Sequence, residues 1–300
     1  MEILITGHRG FVGRHFVREL YDGNLLTGID VRDGNDARDF FRRDDRRFDL
    51  VIHLAAVVGG RATIEGEPLK VAVDLAIDAE LFQWALRTRP GRIVYYSSSA
   101  AYPVELQRRP TRIRPGQGGV PTLHENRLRE DDIVPGAARQ PDLTYGWAKL
   151  TGEELARHAE AEGLRVQVFR PFSGYGEDQD DDYPFPAIAA RARRREDPLA
   201  VWGSGMQARD WIHIDDVVAA TLAAVEQDVS GPVNLCTGRA TKFVDLARMF
   251  ADEAGYRPEI ETMMAAPQGV AWRVGDPGKM LQFYRPRVEL EDGIARAVAA

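Results

Sequence analysis

The residues best suited to proton transfer in this sequence are a tyrosine and a lysine four positions apart, Tyr145 and Lys149. In a helix, this spacing places both side chains on one face, one turn from each other. An ammonium group beside a phenol stabilises the phenolate and so lowers the pKa of the phenol. A base at pH 7 needs a tyrosine pKa about three units below its free value, which one lysine rarely achieves alone. The elements around the pair therefore decide whether it is a catalytic site or a chance spacing on a surface helix.

Length and composition are those of an ordinary globular chain. The 300 residues are 44% hydrophobic and 28% charged, which allows one large domain or two unequal ones. A net charge of −7 argues against a nucleic-acid-binding surface spread over the molecule. The only cysteine, Cys236, allows no intrachain disulfide, and the six histidines have no paired spacing, so no metal site is predicted. Without a signal-peptide pattern or an apolar run of about 20 residues, we expect a cytoplasmic protein with no membrane partner.

A strand, a glycine-rich turn and a helix are predicted at the amino-terminal end. The apolar run at residues 3–5 indicates a buried parallel strand, and residues 14–20 have helical apolar spacing. Between them, Gly7, Gly10 and Gly13 form a G-x-x-G-x-x-G pattern. Such glycines permit a tight turn and let the backbone N–H groups of a helix amino terminus approach a pyrophosphate. The segment therefore predicts a dinucleotide-binding turn.

The second predicted strand, residues 25–30, ends in an acid that favours NAD. Asp30 is placed to hydrogen-bond the ribose hydroxyls and would repel the additional phosphate of NADP. Arg32 lies close enough to pair with that phosphate, so it weakens the preference without reversing it. We therefore expect NAD as the cofactor. Its oxidised nicotinamide ring also carries the second positive charge that the tyrosine needs for a lower pKa.

Two further strands deliver ligand-binding residues to the same edge of the predicted sheet. The strand at residues 48–56 ends in small residues that let the backbone lie against a dinucleotide, and the loop 57–61 follows it. The strand that begins at residue 91 leads into Ser97, Ser98 and Ser99. Because ligands bind at the carboxyl ends of strands in α/β sheets, we expect these hydroxyls beside the tyrosine and the lysine as a proton relay.

In this order, the motifs resemble those of the extended short-chain dehydrogenase/reductase family, in particular its nucleotide-sugar epimerase/dehydratase branch. The resemblance covers essentially the whole chain. It implies an α/β fold in which a doubly wound, parallel-sheet Rossmann domain is followed by a smaller, mixed α/β substrate domain. We expect residues 1–170 to form the NAD-binding domain, with 206–238 returning to it. Residues 171–300 are expected mainly to bind the nucleotide sugar.

The resemblance also implies a role for individual residues. Arg209 is expected on the substrate diphosphate, because a planar guanidinium group suits paired oxygens, and Arg273 is expected at a second diphosphate-binding edge. Ser173 stands where the family commonly has an asparagine that contacts the substrate. The predicted catalytic residues are Ser98, Ser99, Tyr145 and Lys149. The predicted cofactor contacts are Gly7, Arg9, Gly10, Phe11, Val12, Asp30, Leu54, Ala55, Ala56, Tyr145, Lys149 and Pro171. The predicted substrate contacts are Val58, Gly59, Ser99, Ser173, Val201, Trp202, Arg209 and Arg273.

Two alanines narrow the reactions that the resemblance allows. Dehydratases of the family carry an Asp-Glu pair just after the catalytic hydroxyl, where this chain has Ala100 and Ala101. The family's GDP-sugar 3,5-epimerases and the epimerase-reductases that make GDP-fucose use a cysteine at the position of Ala100. Elimination and proton abstraction at C3 or C5 therefore lack their acid and base. Hydride transfer at a single carbinol carbon remains.

The function expected from these features is an NAD-dependent nucleotide-sugar 4-epimerase that works through a transient 4-keto sugar. An NAD(P)H-dependent reductase of a nucleotide 4-keto-sugar is the alternative, and a catalytically idle NAD(P)-binding sensor is the third reading. The expected partner is a nucleotide-diphosphate sugar, and a homodimer is expected through helices that include 70–88 and 144–162. The arginine-rich loop 104–122 is interpreted as solvated, with a substrate lid as the alternative. Asp215 and Asp216 are expected to cap a helix at 217–226.

Overall fold

The computed structural model describes residues 1–109, 126–137 and 139–300. Its main sheet has six parallel strands in the order β2-β1-β3-β4-β5-β9, and the other strands form smaller sheets. The strands are β1 (Glu2–Thr6), β2 (Leu25–Ile29), β3 (Leu50–His53), β4 (Ile93–Tyr96), β5 (Val166–Pro171), β6 (Ser173–Tyr175), β7 (Leu199–Trp202), β8 (Ala208–His213), β9 (Val233–Leu235), β10 (Ala240–Lys242), β11 (Ile260–Met263) and β12 (Trp272–Arg273). The predicted doubly wound parallel-sheet fold is confirmed.

Helices cover both faces of the main sheet. They are α1 (Phe11–Leu20), α2 (Ala37–Arg43), α3 (Arg61–Gly66), α4 (Pro68–Val71), α5 (Val73–Thr88), α6 (Leu143–Ala161), α7 (Pro184–Arg193), α8 (Ile214–Glu226), α9 (Phe243–Glu253) and α10 (Leu290–Ala299). Successive side chains of β1 point to opposite faces: Ile3 and Ile5 pack in the cluster with α1 and α8, and Leu4 in the cluster with α2, α5 and α6. Because both faces are covered, the strand reads as a continuous apolar run.

The smaller sheets and the last helices form a second layer beside the carboxyl ends of the main strands. Strand β8 pairs with β10, β12 and β6, whereas β7 pairs with β11. A separate apolar cluster around Phe185 and Phe250 holds α7, α9 and α10 together. This arrangement carries Arg209 on β8 and Arg273 on β12 towards the edge where the main strands end.

The predicted capping of the helix at 217–226 is wrong. Helix α8 begins at Ile214, and the side chain of His213 accepts the hydrogen bond from the backbone N–H of Asp215. Asp216 is buried and accepts instead from the Tyr284 hydroxyl at 2.7 Å and from two backbone N–H groups at 287 and 288. The acid therefore ties α8 to the carboxyl-terminal segment.

Three further observations bear on the expectations from sequence. Cys236 is fully buried, which keeps its thiol away from solvent. Most of the arginine-rich loop 104–122 lies outside the described residues, so its solvated and lid interpretations stay predictions. Within the described ranges, none of the helices is both long and apolar enough to cross a membrane.

Candidate functional site

A cavity of about 350 Å³ opens where β1, β3, β4 and β5 end. The predicted site residues that line it are Gly7, Gly10, Phe11, Val12, Leu54, Ala56, Val58, Gly59, Ser98, Ser99, Tyr145, Lys149, Pro171, Ser173, Arg209 and Arg273. A second cavity of about 500 Å³ lies behind α6 near Trp147, and none of the predicted site residues lines it. We therefore place the chemistry in the first cavity.

The glycine turn has the shape of a dinucleotide cradle. Gly7 has a φ of +70°, and a Cβ atom there would lie 2.9 Å from the backbone of Leu54 and Ala55. A Cβ atom at Gly13 would collide with the carbonyl oxygen of Gly7. The turn therefore excludes side chains and leaves the backbone at the amino terminus of α1 open to the cavity, which fits a pyrophosphate.

Asp30 is held by the backbone around it. One carboxylate oxygen accepts from the Arg9 N–H at 3.0 Å, and the other accepts from the Arg32 N–H at 2.9 Å. The Arg32 side chain donates to the carbonyl oxygen of Arg9 at 2.8 Å, and the Arg9 side chain pairs with Asp33. The carboxylate is thus fixed at the end of β2, as ribose recognition requires, and two arginine side chains that are about half exposed flank it.

Tyr145 and Lys149 meet on the cavity side of α6. The Lys149 Nζ lies 5.8 Å from the centre of the Tyr145 ring and 5.7 Å from the centre of the Tyr95 ring. Ser98 lies beside Tyr145 and lowers its pKa, and the Ser98 side chain accepts from the Ala100 N–H at 3.1 Å. A phenol, an ammonium group and a hydroxyl therefore form a continuous set that could exchange a proton with a bound alcohol.

A buried acidic pair on α5 lies behind this set. Thr6 accepts two backbone N–H groups and so donates to the His53 Nδ1 at 2.9 Å, which leaves the His53 Nε2–H to donate to Asp78 at 3.2 Å. Asp78 also accepts from the Tyr95 hydroxyl at 2.5 Å. Asp74 accepts from the Val57 N–H at 2.6 Å, but its Oδ2 has no hydrogen-bond partner in the described structure.

These acids change the electrostatics that the sequence alone suggested. Burial raises the pKa of Tyr145 above its ordinary value; Lys149 and Ser98 lower it, but Asp74 and Asp78 raise it further. Burial by itself lowers the pKa of Lys149, but its neighbours Tyr145, Asp78 and Asp74 raise the pKa overall. The lysine therefore stays charged while the phenol stays protonated, so Lys149 alone does not produce a phenolate.

Asp74→Asn is expected to stabilise the protein at pH 7 by up to about 3 kcal/mol, because burial raises the pKa of Asp74 to about 6. The folded state then binds more protons than the unfolded state between about pH 4 and pH 6, so the wild type loses stability as the pH rises through this window. An asparagine carbonyl can still accept from the Val57 N–H. Urea unfolding at pH 4, 5, 6 and 7 measures the difference, with the exposed Asp131→Asn as the matched control. Equal stabilities at pH 7, or a gain that persists unchanged at pH 4, would contradict the account.

A buried ion pair fixes α6 against the sheet. Both nitrogens of the Arg170 fork bind Glu153 of α6, at 2.7 and 2.9 Å, and the Ser97 hydroxyl donates to the same carboxylate. Arg170 is 2% exposed and also donates to the Tyr102 hydroxyl at 3.1 Å. Because Ser97 precedes Ser98, this network ties the helix that carries Tyr145 to the strand end that carries the serines.

The opposite wall of the cavity is strongly basic. Arg209 donates to the carbonyl oxygens of Ala208 and Val270 at 2.8 and 2.9 Å. Arg273 donates to Asp142 at 2.5 Å, and Asp142 immediately precedes α6. Burial and the neighbouring Arg273 lower the pKa of Arg209 to about 9. Such crowding of cations suits a ligand that carries negative charge.

Five predicted residues do not line the cavity. Arg9 and Asp30 hydrogen-bond each other next to the glycine turn, and Ala55 packs against the apolar cluster of α2, α5 and α6. Strand β7 alternates, so Val201 is buried in the apolar cluster of α7 and α9, whereas Trp202 is exposed. The contacts proposed for these five residues stay predictions, and the side chain of Val201 is fully buried in the core.

Sequence reasoning missed Asp74, Asp78, Glu153 and Arg61, all of which lie close to the predicted site. A local signal existed for the first two. They are four residues apart on the buried face of α5, where Leu81 and Ala85 continue the same stripe. Acids in a buried stripe are rarely left there without a partner, so their spacing pointed to a polar contact.

Comparisons with known proteins find similar sequences and a similar fold. Residues 3–236 match the model of the NAD dependent epimerase/dehydratase family. A putative GDP-L-fucose synthase 2 of Oryza sativa subsp. japonica is 29% identical, over 98% of this chain and 84% of that protein. A dTDP-4-dehydro-6-deoxy-D-allose reductase of Streptomyces bikiniensis is 27% identical, over 94% of this chain and 88% of that protein. The UDP-glucose 4-epimerase of Thermus thermophilus, in complex with NAD, has the same fold, with a TM-score of 0.79 at 20% identity over 100% of this chain and 98% of that one.

Proposed function

We propose that this chain, which belongs to the NAD dependent epimerase/dehydratase family of enzymes, is a nucleotide-sugar epimerase. The proposed reaction inverts C4 of the sugar through a 4-keto intermediate. The observation that carries the proposal is the meeting of Tyr145, Lys149 and Ser98 with two arginines in one cavity. Ala100 and Ala101 leave elimination without an acid and a base. Chemistry at one carbinol carbon is what these side chains support.

The proposed cofactor is NAD. The side-chain-free turn at Gly7, Gly10 and Gly13 fits its pyrophosphate, and the fixed carboxylate of Asp30 fits a ribose diol. When bound, NAD supplies a reversible acceptor for the C4 hydride. The flanking Arg9 and Arg32 side chains are the feature by which NADP could also be accepted.

Tyr145 is the proposed acid and base. It takes the proton from the C4 hydroxyl as that carbon is oxidised and returns the proton when the ketone is reduced. Ser98 holds the same hydroxyl, and Lys149 stabilises the phenolate while it exists. Arg209 and Arg273 hold the diphosphate while the keto sugar turns in the cavity. The pKa of Tyr145 in the protein is raised, so the ionised state depends on further positive charge beside it.

A reductase of a nucleotide 4-keto-sugar is the second candidate, and one observation favours it. Burial, together with Asp74 and Asp78, holds the pKa of Tyr145 above its ordinary value, which suits a proton donor to a ketone. The 27% identical Streptomyces relative bears the name of such a reductase. An idle NAD(P)-binding sensor is the third candidate, and the assembled Tyr145, Lys149 and Ser98 argue against it.

The division of the chain and its assembly are also proposals. We propose that residues 1–170, with 206–238, hold NAD and that 171–300 mainly hold the nucleotide sugar. A homodimer through the helices within 70–88 and 144–162 is supported by Leu75, Leu86 and Trp147, which are 39%, 38% and 47% exposed. Sedimentation equilibrium that gives a monomer at micromolar concentration would contradict the dimer.

The proposal is tested by incubation of the purified protein with UDP-, GDP-, CDP- and dTDP-sugars without added cofactor. Inversion at C4 is the expected result. Consumption of one equivalent of NADPH with a 4-keto substrate, without inversion, would instead identify the reductase. If neither reaction occurs and NAD still binds tightly, the result favours the sensor.

A further inference from the structure

Arg61 is a third arginine next to the two at the cavity wall, and the family motifs do not mark it. It is the first residue of α3, after the loop that follows β3, whereas Arg209 and Arg273 come from β8 and β12. Its side chain is 24% exposed. A Cβ atom built at Gly269 would lie 3.3 Å from both the Arg209 Nη2 and the Arg61 Nη1. The two guanidinium groups therefore lie next to the same glycine and close to each other.

One carboxylate oxygen is shared between two of these arginines. The Asp142 Oδ2 accepts from the Arg61 Nη1 at 2.8 Å and from the Arg273 Nη2 at 2.5 Å. Burial alone would raise the pKa of Asp142, but Arg273 and Arg61 hold it below its ordinary value. Asp142 is therefore a buried anion on which guanidinium groups from two distant parts of the chain converge.

The cluster nevertheless has excess positive charge. Glu65 also pairs with Arg61, but it is 38% exposed, where solvent weakens an ion pair. Arg209 has only neutral carbonyl oxygens as hydrogen-bond acceptors among the described residues. Three guanidinium groups thus face one buried carboxylate. A second oxyanion in the cavity would complete the charge balance, and planar forks bind phosphate oxygens well.

The location of Arg61 indicates which part of a ligand it would meet. Its partner Asp142 is three residues before Tyr145, and Val58 and Gly59 of the preceding loop line the cavity. Arg61 does not itself line the cavity; held by Asp142, it lies behind the wall that this loop and Arg273 form, on the side of Tyr145. In the proposed complex, this is the side of the diphosphate that bears the sugar.

We propose that Arg61 binds the sugar-side phosphate of the nucleotide sugar, and that Asp142 competes with this phosphate for the guanidinium groups of Arg61 and Arg273. The inference rests on the proposed function, since it needs a nucleoside diphosphate in the cavity. It has two consequences of opposite sign: loss of Arg61 weakens the binding of the diphosphate, and loss of the Asp142 charge strengthens that binding. A purely structural role for this ion pair would make both changes weaken binding.

The test is calorimetric titration of the full chain with UDP, GDP, CDP and dTDP and with the matching monophosphates. For the nucleobase that the wild type binds, Arg61→Gln should weaken the affinity for the diphosphate by about 10-fold or more, because a charge-assisted hydrogen bond is lost. The affinity for the monophosphate should change by less than about 2-fold. Asp142→Asn should tighten the diphosphate several-fold. The exposed Arg248→Gln, on α9, is the matched control and should change neither ligand.

Three results would overturn the inference: an unchanged diphosphate affinity in Arg61→Gln, an equal loss for both phosphates, or weaker binding in Asp142→Asn. If circular dichroism shows that Arg61→Gln is unfolded, Arg61→Lys takes its place and should lose less affinity, still only for the diphosphate. A wild type that binds none of the four diphosphates would overturn the proposed function itself, which distinguishes that failure from a failure of Arg61 alone.

Discussion

Tyr145→Phe is expected to lower kcat by about 10²- to 10⁴-fold, the range that a positioned acid or base contributes. Phenylalanine keeps the ring beside Lys149 but has no oxygen to take or return the C4 hydroxyl proton. The contacts of the glycine turn and of Asp30 are untouched by this change. NAD binding should therefore be retained while turnover is lost.

The measurement is a comparison of turnover and of NAD bound per protomer in the wild type and the variant. Tyr256→Phe is a matched control, because the Tyr256 hydroxyl has no hydrogen-bond partner in the described structure and Tyr256 does not line the cavity. It should keep full activity. Turnover within about 10-fold of the wild type in Tyr145→Phe would remove Tyr145 from its proposed role.

Arg170→Met is expected to destabilise the protein by about 3–5 kcal/mol, because it leaves the Glu153 carboxylate buried without its charge partner. Arg170 is 2% exposed and binds that carboxylate through two nitrogens. It also donates to the Tyr102 hydroxyl and to the carbonyl oxygen of Glu130. The change therefore removes four hydrogen bonds that Arg170 donates.

Urea unfolding of the single variant and of the double variant Arg170→Met/Glu153→Leu separates charge from packing. If the unpaired carboxylate causes the loss, the double variant should recover a large part of the stability, since both charges are gone. A double variant as unstable as the single one would show that packing dominates. A loss below about 1 kcal/mol in the single variant would mean that water reaches Glu153.

The fold and the centre of the site could be predicted because their signals are local. The glycine turn lies within seven residues, and Tyr145 and Lys149 lie one helical turn apart. The apolar run of β1 indicated a strand covered on both faces. The resemblance to the nucleotide-sugar epimerase/dehydratase branch, drawn from these motifs, is confirmed by the family match.

What the sequence could not predict depends on side-chain direction or on distant contacts. The resemblance places Val201 among the substrate contacts, but the alternation of β7 directs its side chain into the core. Arg61 and Asp142 are 81 residues apart, so no local pattern connects them. The raised pKa of Tyr145 has the same origin, because its burial and the acids of α5 depend on how the two helices pack.

The most direct test of the central claim uses nucleotide sugars that carry deuterium at C4, incubated with the purified protein without added cofactor. We predict that the C4 epimer accumulates to equilibrium and keeps the deuterium at C4, because Tyr145 moves only the hydroxyl proton and the hydrogen on carbon returns to the same sugar. NMR of the product reports both the configuration and the label. A sugar recovered without inversion, from protein that reduces a 4-keto sugar at the expense of added NADPH, would contradict the account.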